Sequence, residues 1–209
     1  PVLRRVLLGQ SARKPRIKNM RFENQSQLYV RAAFRSADSA RGISADILLI
    51  DEYQDVADGT LAVLQETLSH SKVGRTILVG TPKLLENQLE GAYSQSTAHE
   101  WTLECPNCAA QVVLDERCLG AAGVVCPGCQ TALDAALGRW VARHPESEWG
   151  EGFWINHLMV PWLNFHEILD RRRTYDLAQF KNEALGLPTT LGEHVVTRAE
   201  QVRCCGYRP

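Results

Sequence analysis

Four cysteines constrain this chain more than any other feature. Cys105-Pro-Asn-Cys108 and Cys126-Pro-Gly-Cys129 give the spacing C-x2-C-x17-C-x2-C, inside the window of a four-thiolate zinc site. Two tight Cys-Pro-x-Cys turns present their sulfurs convergently, and four sulfurs close a tetrahedron with no open position for catalysis. The spacing therefore predicts structural Zn²⁺, with a redox pair or chance spacing as the competing readings. Residues 101–135 around the four cysteines carry small residues and short runs such as Gln111-Val112-Val113-Leu114. They read as a small module without enough large apolar side chains for a core of its own. Structural zinc supplies an apparent 10–16 kcal/mol or so in finger peptides, more than such a core can. Seven Cys in all exclude complete pairing into disulfides within the chain. Cys118, in the spacer, reads as a filler thiol, and Cys204 and Cys205 stand outside the pattern.

The rest of the chain has the composition of a folded soluble protein. Its 209 residues are 44% apolar and 22% charged, enough for one main core plus a small satellite. No apolar run approaches the 18 or so residues of a membrane span, and no leader pattern is visible, so a cytosolic protein is expected. The net charge of −1 conceals an asymmetry: residues 1–41 carry ten Lys/Arg against Glu23 and Asp38, or +8, and the remainder sums to −9. Such a basic segment fits contact with a polyanion, with Arg13, Lys14, Arg16 and Lys18 as candidate contacts. A solvated face balanced by the acidic body is the alternative.

Along the chain, Val2 to Leu8 reads as the end of a helix and residues 11–21 as a basic loop. Leu28–Val30 with Ala32–Phe34 read as a strand, followed by a turn at 36–42. Asp46-Ile47-Leu48-Leu49-Ile50-Asp51-Glu52 is a Walker B pattern on an apolar strand of the kind covered on both faces in parallel sheets. A strand of this type delivers its terminal carboxylate to the edge where open α/β sheets bind ligands. Asp51 is then placed to hold Mg²⁺, and Glu52 to polarise the water that attacks a γ-phosphate. Asp58 is the expected cap of a helix with Leu61, Leu64 and Leu68 on one face. Thr76-Ile77-Leu78-Val79-Gly80 is a second buried strand, ending at Thr81-Pro82. The predicted fold is an α/β, mostly parallel sheet of the P-loop NTPase type, with the ribbon inserted.

A G-x-x-x-x-G-K-[ST] loop occurs nowhere in the 209 residues, so the expectation is a partial chain whose phosphate-cradling strand and loop lie upstream. Downstream, Gly152–Val160 reads as a strand, and a helix opened by Asn164 and Glu167 is expected to run to about Leu185, before Gly186-Leu187-Pro188. Trp101, Trp140, Trp149, Trp154 and Trp162 are expected to be packing residues. Arg171-Arg172-Arg173 reads as a solvated stretch, and His157 and His166 as hydrogen-bonded structural residues.

In serial order, the basic segment, Arg41-Gly42, the strand into Asp51-Glu52, the strand into Thr81-Pro82-Lys83, Tyr93-Ser94 and the Cys-Pro-x-Cys ribbon are followed by Gly138-x-Trp140, Gly152-Phe153-x-Ile155-Asn156 and Phe180-x-Asn182-Glu183-x-Leu185-Gly186-x-Pro188. This order resembles the ATPase region of the large terminase subunit of tailed phages, the lambda A-protein type, over roughly residues 20–190. The resemblance implies a homo-oligomeric motor that hydrolyses ATP with Mg²⁺ to thread double-stranded DNA into a procapsid in the host cytoplasm. It also implies a small terminase subunit and a portal ring as partners, and no membrane. Asp51 and Glu52 match the family's Walker B carboxylates, and Thr81 its coupling segment, which relays the nucleotide state to DNA-gripping surfaces. The implied organisation is a partial ATPase core over 1–100, the ribbon over 101–135, the C-terminal part of the ATPase domain over 136–190, and a tail or linker to a nuclease over 191–209. Asp51-Glu52-Tyr53-Gln54-Asp55 is also similar to the second motif of UvrD-like helicases. Those helicases usually continue with Val-Gly-Asp, whereas this chain has Val79-Gly80-Thr81-Pro82-Lys83. A non-enzymatic zinc-ribbon DNA-binding module is the third reading, and it leaves the strand order unexplained.

Overall fold

The computed structural model describes residues 18–33, 36–85 and 87–190. The chain divides into two compact units, Pro1–Ile50 with Asp55–Ile77, and Asp51–Gln54 with Leu78–Pro209. The expected helix end at Val2–Leu8 and the Phe34 end of the first strand lie outside the described residues, as do Cys204 and Cys205.

The first unit contains an antiparallel hairpin of β1 (Asn19–Arg21) and β2 (Gln27–Tyr29), with Met20 opposite Leu28. The Asn24 side chain accepts from the Ser26 N–H at 3.1 Å and so supplies the turn between them. The strand expected at 28–34 is therefore shorter and lies earlier. β3 (Ile47–Ile50), α1 (Thr60–Gln65) and β4 (Arg75–Leu78) form the predicted strand–helix–strand unit, and β3 and β4 pair in a two-stranded sheet. Ser71 Oγ donates to Asp46 Oδ1 at 2.6 Å, tying the loop before β4 to the entry of β3.

Two expectations change here. The N-cap of α1 is Gly59, not Asp58, and the helix tightens into a 3-10 turn at Glu66–Leu68 that keeps Leu64 and Leu68 buried. β3 is also not covered on both faces among the described residues. Ile50 is 5% exposed, whereas Ile47 and Leu49, two apart on the opposite face, are 55% and 62% exposed. One neighbouring strand and one short helix can shield only one side of a pleated strand.

The second unit is built on a three-stranded antiparallel sheet ordered β6-β5-β7, from β5 (His99–Glu104), β6 (Gln111–Val113) and β7 (Arg139–Ala142). Helix α2 (Gln88–Gln95) precedes it, capped by Asn87, whose side chain accepts from the Glu90 N–H at 2.9 Å. The strand expected over 152–160 is instead a single bridge from Phe153 to His99 and then a 3-10 turn at His157–Met159. The one helix expected beyond Asn164 is two, α3 (Phe165–Thr174) and α4 (Leu177–Leu185). Asp176 divides them because its carboxylate accepts from the Gln179 N–H at 2.7 Å, starting a new helix rather than continuing the old one. Asn164 caps α3 through His166 N–H at 3.0 Å, and Gly186 closes α4 in the left-handed conformation that favours glycine.

The ribbon has no core of its own, as its composition suggests. Leu103, Val112, Leu114 and Val124 pack into one cluster with Leu158, Ile168, Phe180, Ala184 and Leu185. Asn156, 2% exposed, fastens the two sides: its amide donates to the Leu114 carbonyl at 2.7 Å and its oxygen accepts from the Leu158 N–H at 2.9 Å. Trp101 and Trp154 are packing residues whose indole N–H groups donate to Ala135 and Leu185 carbonyls. Trp149 and Trp162 are not, being 52% and 81% exposed. Each arginine of the triplet has an intrachain contact: Arg171 with His157, Arg172 over the Phe180 ring, and Arg173 with Asp170. Among the described residues, no helix is long and apolar enough to cross a membrane.

Candidate functional site

Two groups of side chains carry chemistry, both in the second unit. The first is the cysteine quartet. Cys105 opens one turn and Cys126 the other, with the same backbone pattern in each. The Cys105 N–H donates to the Ala110 carbonyl and the Ala109 N–H returns to the Cys105 carbonyl, both at 2.9 Å. The Cys126 N–H donates to the Thr131 carbonyl and the Gln130 N–H returns to the Cys126 carbonyl, both at 2.8 Å. Ala109 and Gln130, each just after the second cysteine of its turn, take the left-handed conformation at φ 56° and 60°. This conformation costs a non-glycine residue roughly 1–2 kcal/mol, so something must hold both turns closed.

The result is that Cys105, Cys108, Cys126 and Cys129 bring their sulfurs within 4.8 Å of one another, with Cys105 to Cys129 at 3.5 Å and Cys108 to Cys126 at 3.7 Å. A tetrahedral zinc with Zn–S near 2.3 Å requires sulfurs about 3.8 Å apart, so the quartet fits that ion. The thiols are electrically divided. The Thr131 hydroxyl and backbone, then Asn107, bring Cys129 down to about 5. Against the Ala110 backbone, which lowers it, the neighbouring Cys105, Cys129 and Cys126 push Cys108 up to about 12. Four thiolates this close repel one another until a cation neutralises them, so these residues can hold a metal ion. Cys118 is outside the quartet: it is fully buried, its Sγ lies 3.7 Å from the Val113 carbonyl, and burial raises its pKa.

The second group is the acidic turn after β3. Asp51 and Glu52 are exposed at the C-terminal end of the strand, with the Asp51 carboxylate accepting from the Glu52 N–H at 3.1 Å. Glu52 is held at φ 53°, a left-handed conformation that is rare for its type and found disproportionately at functional sites. The Tyr53 N–H donates to the Val79 carbonyl at 3.0 Å, pinning the turn to the continuation of β4. That contact brings the Thr81 segment alongside the acids. Gln54 spans the gap, its Nε2 donating to a Glu52 carboxylate oxygen and its Oε1 accepting from the Thr81 N–H at 3.2 Å. Thus Asp51, Glu52 and Thr81 come together. Gln54 has no role in a reading of the sequence alone; its only signal is its place in the Asp-Glu-x-Gln run.

Arg13, Lys14 and Arg16 lie outside the described residues, and Lys18 contributes its carbonyl to the β1–β2 hairpin, accepting from the Val30 N–H at 2.9 Å.

A mixed α/β chain with a four-cysteine cluster and an acid-tipped strand defines a narrow class, and sequence comparison identifies it. The family model for the phage terminase large subunit gpA, ATPase domain, matches residues 1–149, and the chain belongs to that family. The matched span contains the acidic turn, Thr81 and all four cysteines. The motifs from Gly152 to Pro188 lie beyond it. No curated protein and no solved structure gives a significant match. The helicase and non-enzymatic readings gain no support from these comparisons.

Proposed function

We propose that this chain is a segment of a viral DNA-packaging motor, in which ATP hydrolysis drives translocation of double-stranded phage DNA into a procapsid. The observation that carries the reading is the family match over residues 1–149, together with two exposed acids at the tip of an apolar strand, hydrogen-bonded through Gln54 to the Thr81 segment. The substrate is ATP with Mg²⁺. Asp51 would help hold the metal, Glu52 would take the proton from the attacking water, and Thr81 would pass the product state to surfaces that grip DNA.

The helices that flank a P-loop NTPase-type sheet would cover the open face of Ile47 and Leu49, whose exposure supports that arrangement, with the phosphate-cradling loop beside the acidic turn. Residues 1–100 would then be the part of the ATPase core encoded here, 101–135 the ribbon, 136–190 the end of the ATPase domain and 191–209 a tail or linker. Zn²⁺ is the metal the quartet fits, in a structural role. DNA contact would include Arg13, Lys14, Arg16 and Lys18, and the motor would be a homo-oligomer working with a small terminase subunit and a portal ring in the host cytoplasm.

The test is Asp51→Ala in the intact large subunit. DNA-dependent ATP hydrolysis should be lost while DNA binding persists, whereas unchanged hydrolysis would refute the assignment. Neutralising Arg13, Lys14, Arg16 and Lys18 should weaken DNA affinity and flatten its salt dependence.

A further inference from the structure

We infer that Gln54 is a positioning residue that fixes the Glu52 carboxylate to the backbone of Thr81, so that the acid and the coupling segment move as one piece. The inference rests on the reading of Glu52 as the residue that activates water. The geometry dictates the amide's orientation. The Thr81 N–H can only donate, so it faces Gln54 Oε1 at 3.2 Å, which leaves Nε2 for the Glu52 carboxylate, an acceptor only. A carboxylate or a lysine at position 54 can serve one partner and not the other, and asparagine is one methylene shorter.

Gly80 adjoins the same contact. A Cβ at this position would run into Gln54 Oε1, with the Gln54 Cδ at 3.1 Å and Leu89 Cδ2 at 3.2 Å. The residue before Thr81 is therefore the one that clears the space through which the Gln54 amide reaches across. Glu52 also needs an external hold, because its own backbone is in the disfavoured left-handed region at φ 53°. Through this bridge, a shift of the Thr81 backbone changes where the Glu52 carboxylate points. Displacement at the coupling segment and readiness for hydrolysis are then one event.

The experiment measures kcat, KM for ATP and DNA stimulation in the intact large subunit, with Gln54→Met, Gln54→Glu and Gly80→Ala beside Glu52→Gln. Gln54→Met removes both bonds at nearly constant volume. It should lower kcat by at least about tenfold with little change in KM, and reduce the stimulation by DNA. Gln54→Glu keeps the acceptor for the Thr81 N–H but sets a like charge beside Glu52. It should lower kcat by a similar factor with KM for ATP unchanged, a split that a merely structural role would not produce. Gly80→Ala displaces the amide without removing it and should reproduce the loss in kcat. Combined with Gln54→Met it should add little, because both act on one contact. Additive losses, or wild-type kcat in both Gln54 variants while Glu52→Gln is inactive, would overturn this inference and leave the ATPase reading standing. An active Glu52→Gln would instead remove the reading on which it rests.

Discussion

In the ribbon, two turns of matching backbone pattern gather four sulfurs within 4.8 Å, over a core shared with α3 and α4. At the acidic turn, two carboxylates stand exposed on the tip of a strand whose Ile47 and Leu49 face is uncovered among the described residues, with one glutamine bonded to Glu52. The ribbon's candidate metal donors are complete within 25 consecutive residues, Cys105 to Cys129. The acidic turn instead draws its hydrogen-bonded group, Asp51, Glu52, Gln54 and the Thr81 backbone, from two separate segments. The difference shows which kind of chemistry a short span of sequence can finish alone. Metal binding needs convergent donors, whereas phosphoryl transfer needs a cradle and a metal-bound substrate brought from several strands.

The largest expected effect tests the ribbon's completeness. Cys126→Ser, or metal removal by a chelator, should unfold residues 101–135 and loosen α4, because the metal's binding energy is also folding energy. Hydrogen exchange should show those amides opening while the Tyr53 and Thr81 amides keep their protection. Loss of protection at both places together would mean that the two regions are not energetically separate.

Next comes the shared core. Phe180 is fully buried and belongs to the cluster holding Leu103, Val112 and Leu114, so Phe180→Ala should cost about 3–5 kcal/mol in denaturant unfolding. It should also weaken metal retention, since the ribbon hairpin leans on the same cluster. A cost below about 1 kcal/mol would show that the site collapses around the cavity without harm.

A smaller effect separates strain that is incidental from strain that is used. Ala109→Gly relieves the left-handed residue after the first cysteine pair and should stabilise the metal-bound protein by up to about 1 kcal/mol with metal affinity retained. Calorimetric unfolding of the two proteins would measure it.

The smallest concerns acid. His157 is held below its ordinary value of 6.5 by burial, then by Arg171, whose Nη1 lies 3.3 Å from its Nδ1. The unfolded chain therefore takes up a proton that the folded chain refuses. Stability is present in full above about pH 6.5 and declines as pH falls toward the lower folded value. Melting temperatures tracked downward from neutral pH should fall less steeply in His157→Gln than in the parent.

The ribbon is legible in the sequence because its information is local: residue types, two prolines and a spacing suffice. The strand–helix–strand unit is legible for the same reason, from apolar runs and the glycines between them. The features that sequence alone misses depend on competition between neighbours. Gly59 displaces Asp58 as a cap, and Asp176 cuts one expected helix in two through a single side-chain bond. The apolar run of β3 reads as a strand covered on both faces, since periodicity reports what a strand is made for and not which partners are present. Gln54 shows in the sequence only as part of the Asp-Glu-x-Gln run, because its bond to the Thr81 backbone spans 27 residues and no local pattern encodes it.

The most direct test is Glu52→Gln in the intact large subunit, assayed for single-turnover ATP hydrolysis in the presence of DNA. The substitution preserves shape and removes only the ability to take a proton. The rate should fall by about 10²–10⁴-fold with ATP and DNA still bound. Hydrolysis at the parent rate would contradict the central claim that the acid-tipped strand is where the motor's chemistry occurs.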